Sequence, residues 1–271
     1  MCFLCSLYFW KIHWYWPHFK RPRSFQEKVF NRMLFDRAPL WTMFSDKLRV
    51  RDYVASIVGS EHLVPLLWTG DTPEEIPFDK LPLKFIIKTN HGCGYNIIVK
   101  DKTRLDQKKV MRQLKKWLCE NFCEDKFLGV EWGYKNIRPI IMVESFLENN
   151  GRVPEDYKFF CYSGQVEFCK FDFDRFEDHS EIFFNKNYDR LDLYGRGIKQ
   201  YHGKFVLPDN YKDMVRVAEN LAQGINFIRV DLYNVGGRIY FGELTCYHGG
   251  GTIKISPRKY DFLFGEKWII Q

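Results

Sequence analysis

Two carboxylates, Asp231 and Glu243, lie in FIRVDLYNVGGRIYFGELTCYHGGG, residues 227–251, where two alternating apolar runs flank Gly236 and Gly237. Counting by twos groups Arg229 with Asp231 on the first run and Glu243 with Thr245 on the second. A plain two-residue turn would pair Asp231 with Gly242 and send Glu243 to the other face. The hairpin therefore requires a bulge or an odd loop, which left-handed glycine permits. Converging carboxylates repel unless a cation sits between them, and hard oxygens beside a hydroxyl suit magnesium that also holds phosphate oxygens. Asp231, Glu243 and Thr245 are the metal ligands expected on this reading. The competing reading is a hairpin with solvated acids.

A second group of residues suits an anion. KFIIKTNHGCGYNIIVKDK, residues 84–102, reads as strand, glycine loop, strand, with Lys88 ending an otherwise apolar run. In the loop Thr89–Asn96, which includes Asn90, His91, Gly92 and Gly94, backbone amides can turn toward phosphate oxygens beside Lys88. A strand follows the loop where a Walker A motif needs a helix, so the expected device is a hairpin tip that closes over a nucleotide. Lys47 is expected near the start of a helix running from Ser45 or Asp46 to Gly59. A strand over 139–144 runs into a polar turn, where Glu144 and Glu148 would meet the adenine amino group and ribose hydroxyls of a bound nucleotide. Lys158 lies on the first strand of a hairpin over 156–174 and is a third candidate for a phosphate or base contact.

The elements that carry these residues are legible as patterns. Ser24 and Glu27 form a capping box ahead of Phe25, Val29, Phe30 and Met33. Residues 104–122 form an amphipathic helix with Val110, Leu114, Trp117, Leu118 and Phe122 inward, and Met214, Val217, Ala218 and Leu221 mark another. Residues 177–205 are polar, aromatic and turn-rich and read as a surface insertion that helps define the acceptor site, with solvated His179 and His202. The 271 residues are 45% hydrophobic, enough for a full core. The formal net charge of +7 favours anionic partners without choosing among them, and its scattered basic residues do not form a nucleic-acid stripe. Eight dispersed cysteines point to a reducing, cytoplasmic compartment and offer no second pair to complete a zinc site with Cys2 and Cys5.

Residues 1–19 are densely aromatic, but their apolar run breaks at Lys11, short of a membrane span. Trp10, Trp14 and Trp16 with Lys20, Arg21 and Arg23 suit peripheral contact with the inner membrane face; a flap on the protein's own surface is the alternative.

The order of these parts resembles the ATP-grasp superfamily, and RVDLYNVGGRIYFGELTCYHGGG with FIIKTNHGCGYN looks like its TupA-like family, over roughly residues 24–268. The resemblance implies an α+β ATP-grasp fold, two α+β lobes with antiparallel sheets clasping a nucleotide, and a reduced helical N-terminal region. The expected division is a tail over 1–23, a helical region over 24–82, a glycine-loop lobe over 83–147 and a metal-hairpin lobe over 148–271. The resemblance further implies ATP and one or two magnesium ions, with Lys47 and Lys88 on the nucleotide phosphates. Glu144, Ser145, Phe146 and Leu147 would form the adenine hinge, with Glu148 toward the ribose. Arg229 would stabilise the charged intermediate, and His248 lies just past the metal ligands. The activity implied is a ligase that joins a carboxylate to an amine through an acylphosphate, the acid a uronic acid of a surface polysaccharide precursor and the amine an amino acid. The alternatives are a sugar kinase and a non-catalytic binding protein for nucleotide or polysaccharide at the membrane.

Overall fold

The structure, a computed structural model, describes residues 2–125, 130–149, 151, 153–173, 178–195 and 197–270. The chain forms two compact units, Arg37–Gly151 and a second that joins Met1–Asp36 to Arg152–Gln271. Helix α1 (Cys2–His13) opens the second unit, followed by α2 (Phe25–Phe35). The capping box forms as expected. Ser24 accepts from the Glu27 amide, and the Glu27 carboxylate accepts from the amides of Ser24, Arg23 and His18. That single acid thereby fixes the entry of α2, whose Phe25, Val29, Phe30 and Met33 are buried.

The Arg37–Gly151 unit begins with α3 (Pro39–Ser45) and α4 (Val50–Val58). The sequence reading ran one helix from Ser45 or Asp46. Instead Asp46 interrupts the helices, its carboxylate accepting from the amides of Leu48 and Arg49 and from the Asn90 side chain. Strands β1 (Leu66–Gly70), β2 (Phe85–Thr89) and β3 (Asn96–Val99) precede α5 (Gln107–Cys119), α6 (Phe122–Asp125) and β4 (Ile141–Ser145). The sheet is antiparallel in the order β1-β4-β2-β3. Phe85, Ile87, Ile141 and Val143 pack with Val110 and Leu114 of α5 into one core. Period-2 alternation leaves Lys88 and Glu144 on the opposite face of the same sheet.

The other unit continues with β5 (Asp156–Tyr162), β6 (Gln165–Phe173), β7 (Ser180–Asn185), the short β8 (Arg190–Leu191), β9 (Tyr194–Gly195) and β10 (Lys199–Gln200), and α7 (Tyr211–Leu221). The hairpin β11 (Phe227–Val235) and β12 (Arg238–Thr245) follows, then β13 (Ile255–Ser256) and α8 (Lys259–Lys267). The main sheet runs β10-β7-β6-β5-β11-β12, with β10 and β7 the parallel pair among the described residues, and β8 pairs β7. Residues 180–185 are thus a strand of the main sheet with Glu181, Ile182 and Phe183 buried, which corrects the surface-insertion reading of 177–205 at that strand; residues 177 and 196 lie outside the described residues. Lys170 neutralises Glu181 there and lets it lie inside. Helix α7 covers one sheet face through Met214, Ala218 and Leu221.

Arg32 of α2 ties this unit together. It is buried, donates to the Cys246 carbonyl and the Asn226 side chain, and stacks on Trp268. Burial lowers its pKa to about 10. From α1, His13 Nε2 meets the Gly251 carbonyl at 2.8 Å, and burial lowers the ring's pKa to about 4, so the neutral ring donates. No described helix is long and apolar enough to cross a membrane. Gly251 has φ +69°, and a Cβ there would lie 2.5 Å from the Phe30 ring. Gly251→Ala is expected to lower stability by about 2 kcal/mol or more, from overpacking and left-handed strain together. A melting curve superposable on that of the unaltered protein would contradict this packing.

Candidate functional site

The hairpin β11–β12 meets the geometric requirement read from its spacing. Its turn is two residues, with Val235 opposite Arg238, and Gly236 and Gly237 at φ 58° and 84°. A bulge between Asp231 and Leu232 then changes the register, so that Asp231 lies opposite Glu243 and Arg229 opposite Thr245. Gly242 occupies the bulge, where a Cβ would sit 3.1 Å from the Asp231 carbonyl. All four candidate side chains consequently project from one face, and the alternate positions Ile228, Val230 and Leu232 are buried on the other.

That face carries buried charge across four neighbouring strands. Lys158 is the direct partner of Asp231 on one side and of Lys170 on the other. Its ammonium lies 2.6 Å from Asp172, 3.1 Å from Asp156 and 4.0 Å from Asp231. Lys170 lies 2.6 Å from Glu181 and 3.0 Å from Asp172, and His179 Nε2 donates to Asp172 at 2.8 Å. Despite burial, Lys170 and Lys158 hold the Asp172 carboxyl well below the usual carboxylate range. Within the cluster around Asp231, three formal positive charges (Lys158, Lys170, Arg229) face five negative (Asp156, Asp172, Glu181, Asp231, Glu243), a surplus of two negative charges, while Arg238 shares the face at the turn end of the hairpin. Buried ions cost several kcal/mol each unless paired. Ion pairs along the strands and between them make the face tolerable.

Arg229 and Asp231 form a two-pronged pair, with Nε to Oδ1 and Nη2 to Oδ2 both 2.7 Å. Burial raises the Asp231 carboxyl, and Arg229 and Lys158 oppose it. Two short parallel bonds suit the anion. Asp231 in turn overcomes burial at Arg229 and raises its pKa above the usual guanidinium value. The third arm, Nη1, donates to His248 Nδ1 at 2.7 Å. Burial, then the neighbouring cations Arg229, Lys170 and Lys158, push His248 well below its ordinary pKa, so the ring is neutral and accepts at Nδ1. Glu243 is half-buried, and Thr245 Oγ1 is buried with no hydrogen-bond partner among the described residues. Two facing carboxylates and an orphaned hydroxyl are hard oxygen donors, a set that fits magnesium completed by phosphate oxygens. Among the described residues there is no cluster of three or more His, Cys, Asp and Glu ligands, so the fit rests on that mixed set.

In the Arg37–Gly151 unit, Lys88 lies opposite Met142, and its ammonium reaches diagonally to Glu144, 2.5 Å away. Arg51 of α4 meets the other oxygen of Glu144 at 3.0 Å and also donates to the Val64 carbonyl. Glu144 is therefore held between two cations, and the trio carries one surplus positive charge. Arg51 escaped the sequence reading, because its partner is 93 residues away and nothing local marks it. Lys47 Nζ donates to the Gly92 carbonyl inside the glycine loop, and the Lys47 amide donates to the Asn90 carbonyl. The Asn90 side chain is committed within the unit, donating to Asp46 and the Arg138 carbonyl and accepting from the Ile140 amide. His91 Nε2 meets the Trp117 carbonyl at 2.9 Å, and burial lowers the ring's pKa. Gly94 takes φ +77° at the loop tip with open space around it, whereas a Cβ on Gly92 would strike the Tyr95 ring at 2.5 Å. Ser145, Phe146 and Leu147 leave the end of β4 half-buried. Glu148 does not join Lys88; it pairs with Lys84 at 2.7 Å.

A family model described as TupA-like ATPgrasp matches residues 27–269. No curated protein matches the chain. Among solved structures it is similar to D-alanine–D-alanine ligase from Bacillus anthracis complexed with ATP, at 14% identity and TM-score 0.43 over 76% of this chain and 54% of that one. The corresponding ligase from Helicobacter pylori gives 12% identity and TM-score 0.43 over 84% and 62%. The ATP-grasp ligase PsnB with minimal precursor, Mg and ADP gives 13% and 0.42 over 78% and 52%. The chain thus spans between about half and three fifths of the length of these structures. With a family match over nearly its whole length and two α+β units built on largely antiparallel sheets, the chain belongs to the TupA-like ATP-grasp family and has an ATP-grasp fold.

Proposed function

We propose that the protein is an ATP- and magnesium-dependent ligase that joins a carboxylate to an amine through an acylphosphate. The observation that carries this reading is the bulged register, with Asp231 opposite Glu243 and Thr245 opposite Arg229 in a cluster with two surplus negative charges. Family membership supports ATP as the phosphoryl donor. Asp231, Glu243 and Thr245 would hold magnesium, which when bound supplies compensating charge for phosphate oxygens.

Each remaining residue has a role in handling charge. Lys47, Lys88 and Lys158 would contact phosphate oxygens, with backbone amides of the 89–96 loop, including Gly92 and Gly94, completing the cradle. A phosphate arriving at Lys88 competes with Glu144, and Arg51 retains the glutamate when the lysine turns away. Glu144, Ser145, Phe146 and Leu147 would border the adenine, and Glu148, Asn90 and His91 would bound the nucleotide without bonding the reacting atoms. In the first step a carboxylate oxygen attacks the γ-phosphorus and the bond to the bridging oxygen breaks, releasing ADP. In the second the amine nitrogen adds to the acyl carbon, phosphate departs with the electrons of the C–O bond, and the nitrogen loses a proton. Arg229, locked by Asp231 and His248, would offer a rigid cation to the acylphosphate and to the oxyanion of the second step. His248 is a positioning residue here, since a neutral buried ring already engaged at Nδ1 is a poor base. We propose further, on family resemblance, a uronic acid of a surface polysaccharide precursor as the acid and an amino acid as the amine.

Glu243→Gln is expected to lower magnesium-dependent ADP formation by about 100-fold or more; undiminished turnover would reject the metal assignment. Arg229→Lys keeps the charge and loses the fork, so kcat should fall about 100-fold with little change in the KM for ATP. An effect confined to KM would mean that Arg229 acts in binding alone. Lys88→Met should raise the KM for ATP while the melting temperature stays close to that of the unaltered protein, because Arg51 still neutralises Glu144. The substrate class is tested by ADP release from nucleotide-linked uronic acids paired with amino acids, with mass detection of product. A mass equal to the condensed amide supports the ligase, and a phosphorylated sugar in its place would overturn it.

A further inference from the structure

Helix α1 is apolar on two opposite faces, and only one of them is covered. Cys5, Phe9 and His13, spaced by four, are buried against the protein. Phe9 meets the rings of Phe19 and Phe30, and His13 reaches the glycine turn. Phe3, Leu4 and Trp10 fall on the opposite face by helical spacing, and with Trp14 and Trp16 just beyond they are between 47% and 69% exposed. Trp14 ends the helix at φ +63°, a conformation that costs a bulky residue, with its ring beneath the Lys254 ammonium. The Trp16 ring lies 6.1 Å from that of Phe3, which joins the patch into one surface.

The charge in this stretch of chain has one sign. The first 26 residues contain no Asp or Glu, while Lys11, Lys20 and Arg21 are exposed within the same stretch of chain as the aromatic rings. The first acid, Glu27, is buried in the cap of α2. Exposed indoles edged by basic side chains are the composition of a helix lying in a bilayer interface, where the ring bodies enter the acyl boundary and the cations meet lipid phosphates. Lys11 interrupts the apolar surface of the described helix, an arrangement that suits a helix lying in the bilayer plane. We propose that the outward face of α1, with Lys11, Lys20 and Arg21, seats the protein in the headgroup layer of an anionic bilayer. The covered face keeps α1 attached to the unit that carries Asp231 and Glu243, so the docked face is part of the folded protein.

The test is co-sedimentation of the full chain with vesicles of phosphatidylcholine alone and of phosphatidylcholine mixed with phosphatidylglycerol. Binding is expected on the anionic vesicles, weakened by added salt. The double variant Trp10→Ser, Trp14→Ser should bind about tenfold less tightly or worse, and Lys11→Glu should lose about fivefold or more on anionic vesicles only. Melting temperature and ADP formation in solution should stay unchanged in these variants, because Cys5, Phe9 and His13 are untouched. Failure of the unaltered protein to bind anionic vesicles would overturn the proposal, as would equal binding by the double variant. Sedimentation equilibrium supplies a further check: absent vesicle binding together with a dimer that the double variant dissociates would assign the face to a second copy of this chain.

Discussion

Asp231 and Glu243 can share one side of a sheet only because Gly242 bulges from its strand. Without that extra residue, alternation would send the glutamate to the side that α7 covers, where a carboxylate would meet apolar side chains at a cost of several kcal/mol. With it, five acids and three bases cluster on a face that is mostly closed to water, and ion pairs along the strands and diagonally between them offset their desolvation. Around Asp231 this pairing leaves two negative charges and the Thr245 hydroxyl unmatched among the described residues. A divalent cation would satisfy all three, which is why the most irregular point of the hairpin is also its most informative.

The other unit solves the complementary problem with fewer charges. Glu144 lies between Lys88 and Arg51 and leaves one positive charge in excess. Lys47 braces the glycine loop by binding its Gly92 carbonyl, and Asn90 fastens the loop's base to Asp46 and to the Arg138–Ile140 backbone. Precision in such a loop comes from these supports, since glycine itself resists no distortion.

Much of this was legible in the sequence because the signals are local. The Ser24–Glu27 box, the glycine hairpin that sets Lys88 opposite Asn96, the inward faces of α5 and α7 and the need for a bulge all follow from periods and spacings within about 20 residues. What escaped depends on distant partners or on missing contrast. β7 reads as a loop because Glu181 among aromatic and turn residues looks solvated until Lys170 is known to neutralise it. Arg51 is an ordinary helix residue without Glu144. α1 has no polar face to give it a helical period, so its aromatic density hid the helix. α3 carries Pro39 in its first turn, a start signal that the reading overlooked. The roles proposed for the candidate residues rest on chemistry that the sequence suggested, and the geometry supplies their neighbours.

The central claim is that this bulged pair of carboxylates, with the Thr245 hydroxyl, holds a divalent cation together with ATP. Manganese is a spectroscopic stand-in for magnesium, and its electron paramagnetic resonance signal distinguishes free from bound ion. Titrating manganese into the protein with ATP should reveal a bound population that disappears in Glu243→Gln and weakens in Thr245→Val, whereas equal binding by all three proteins would contradict the account.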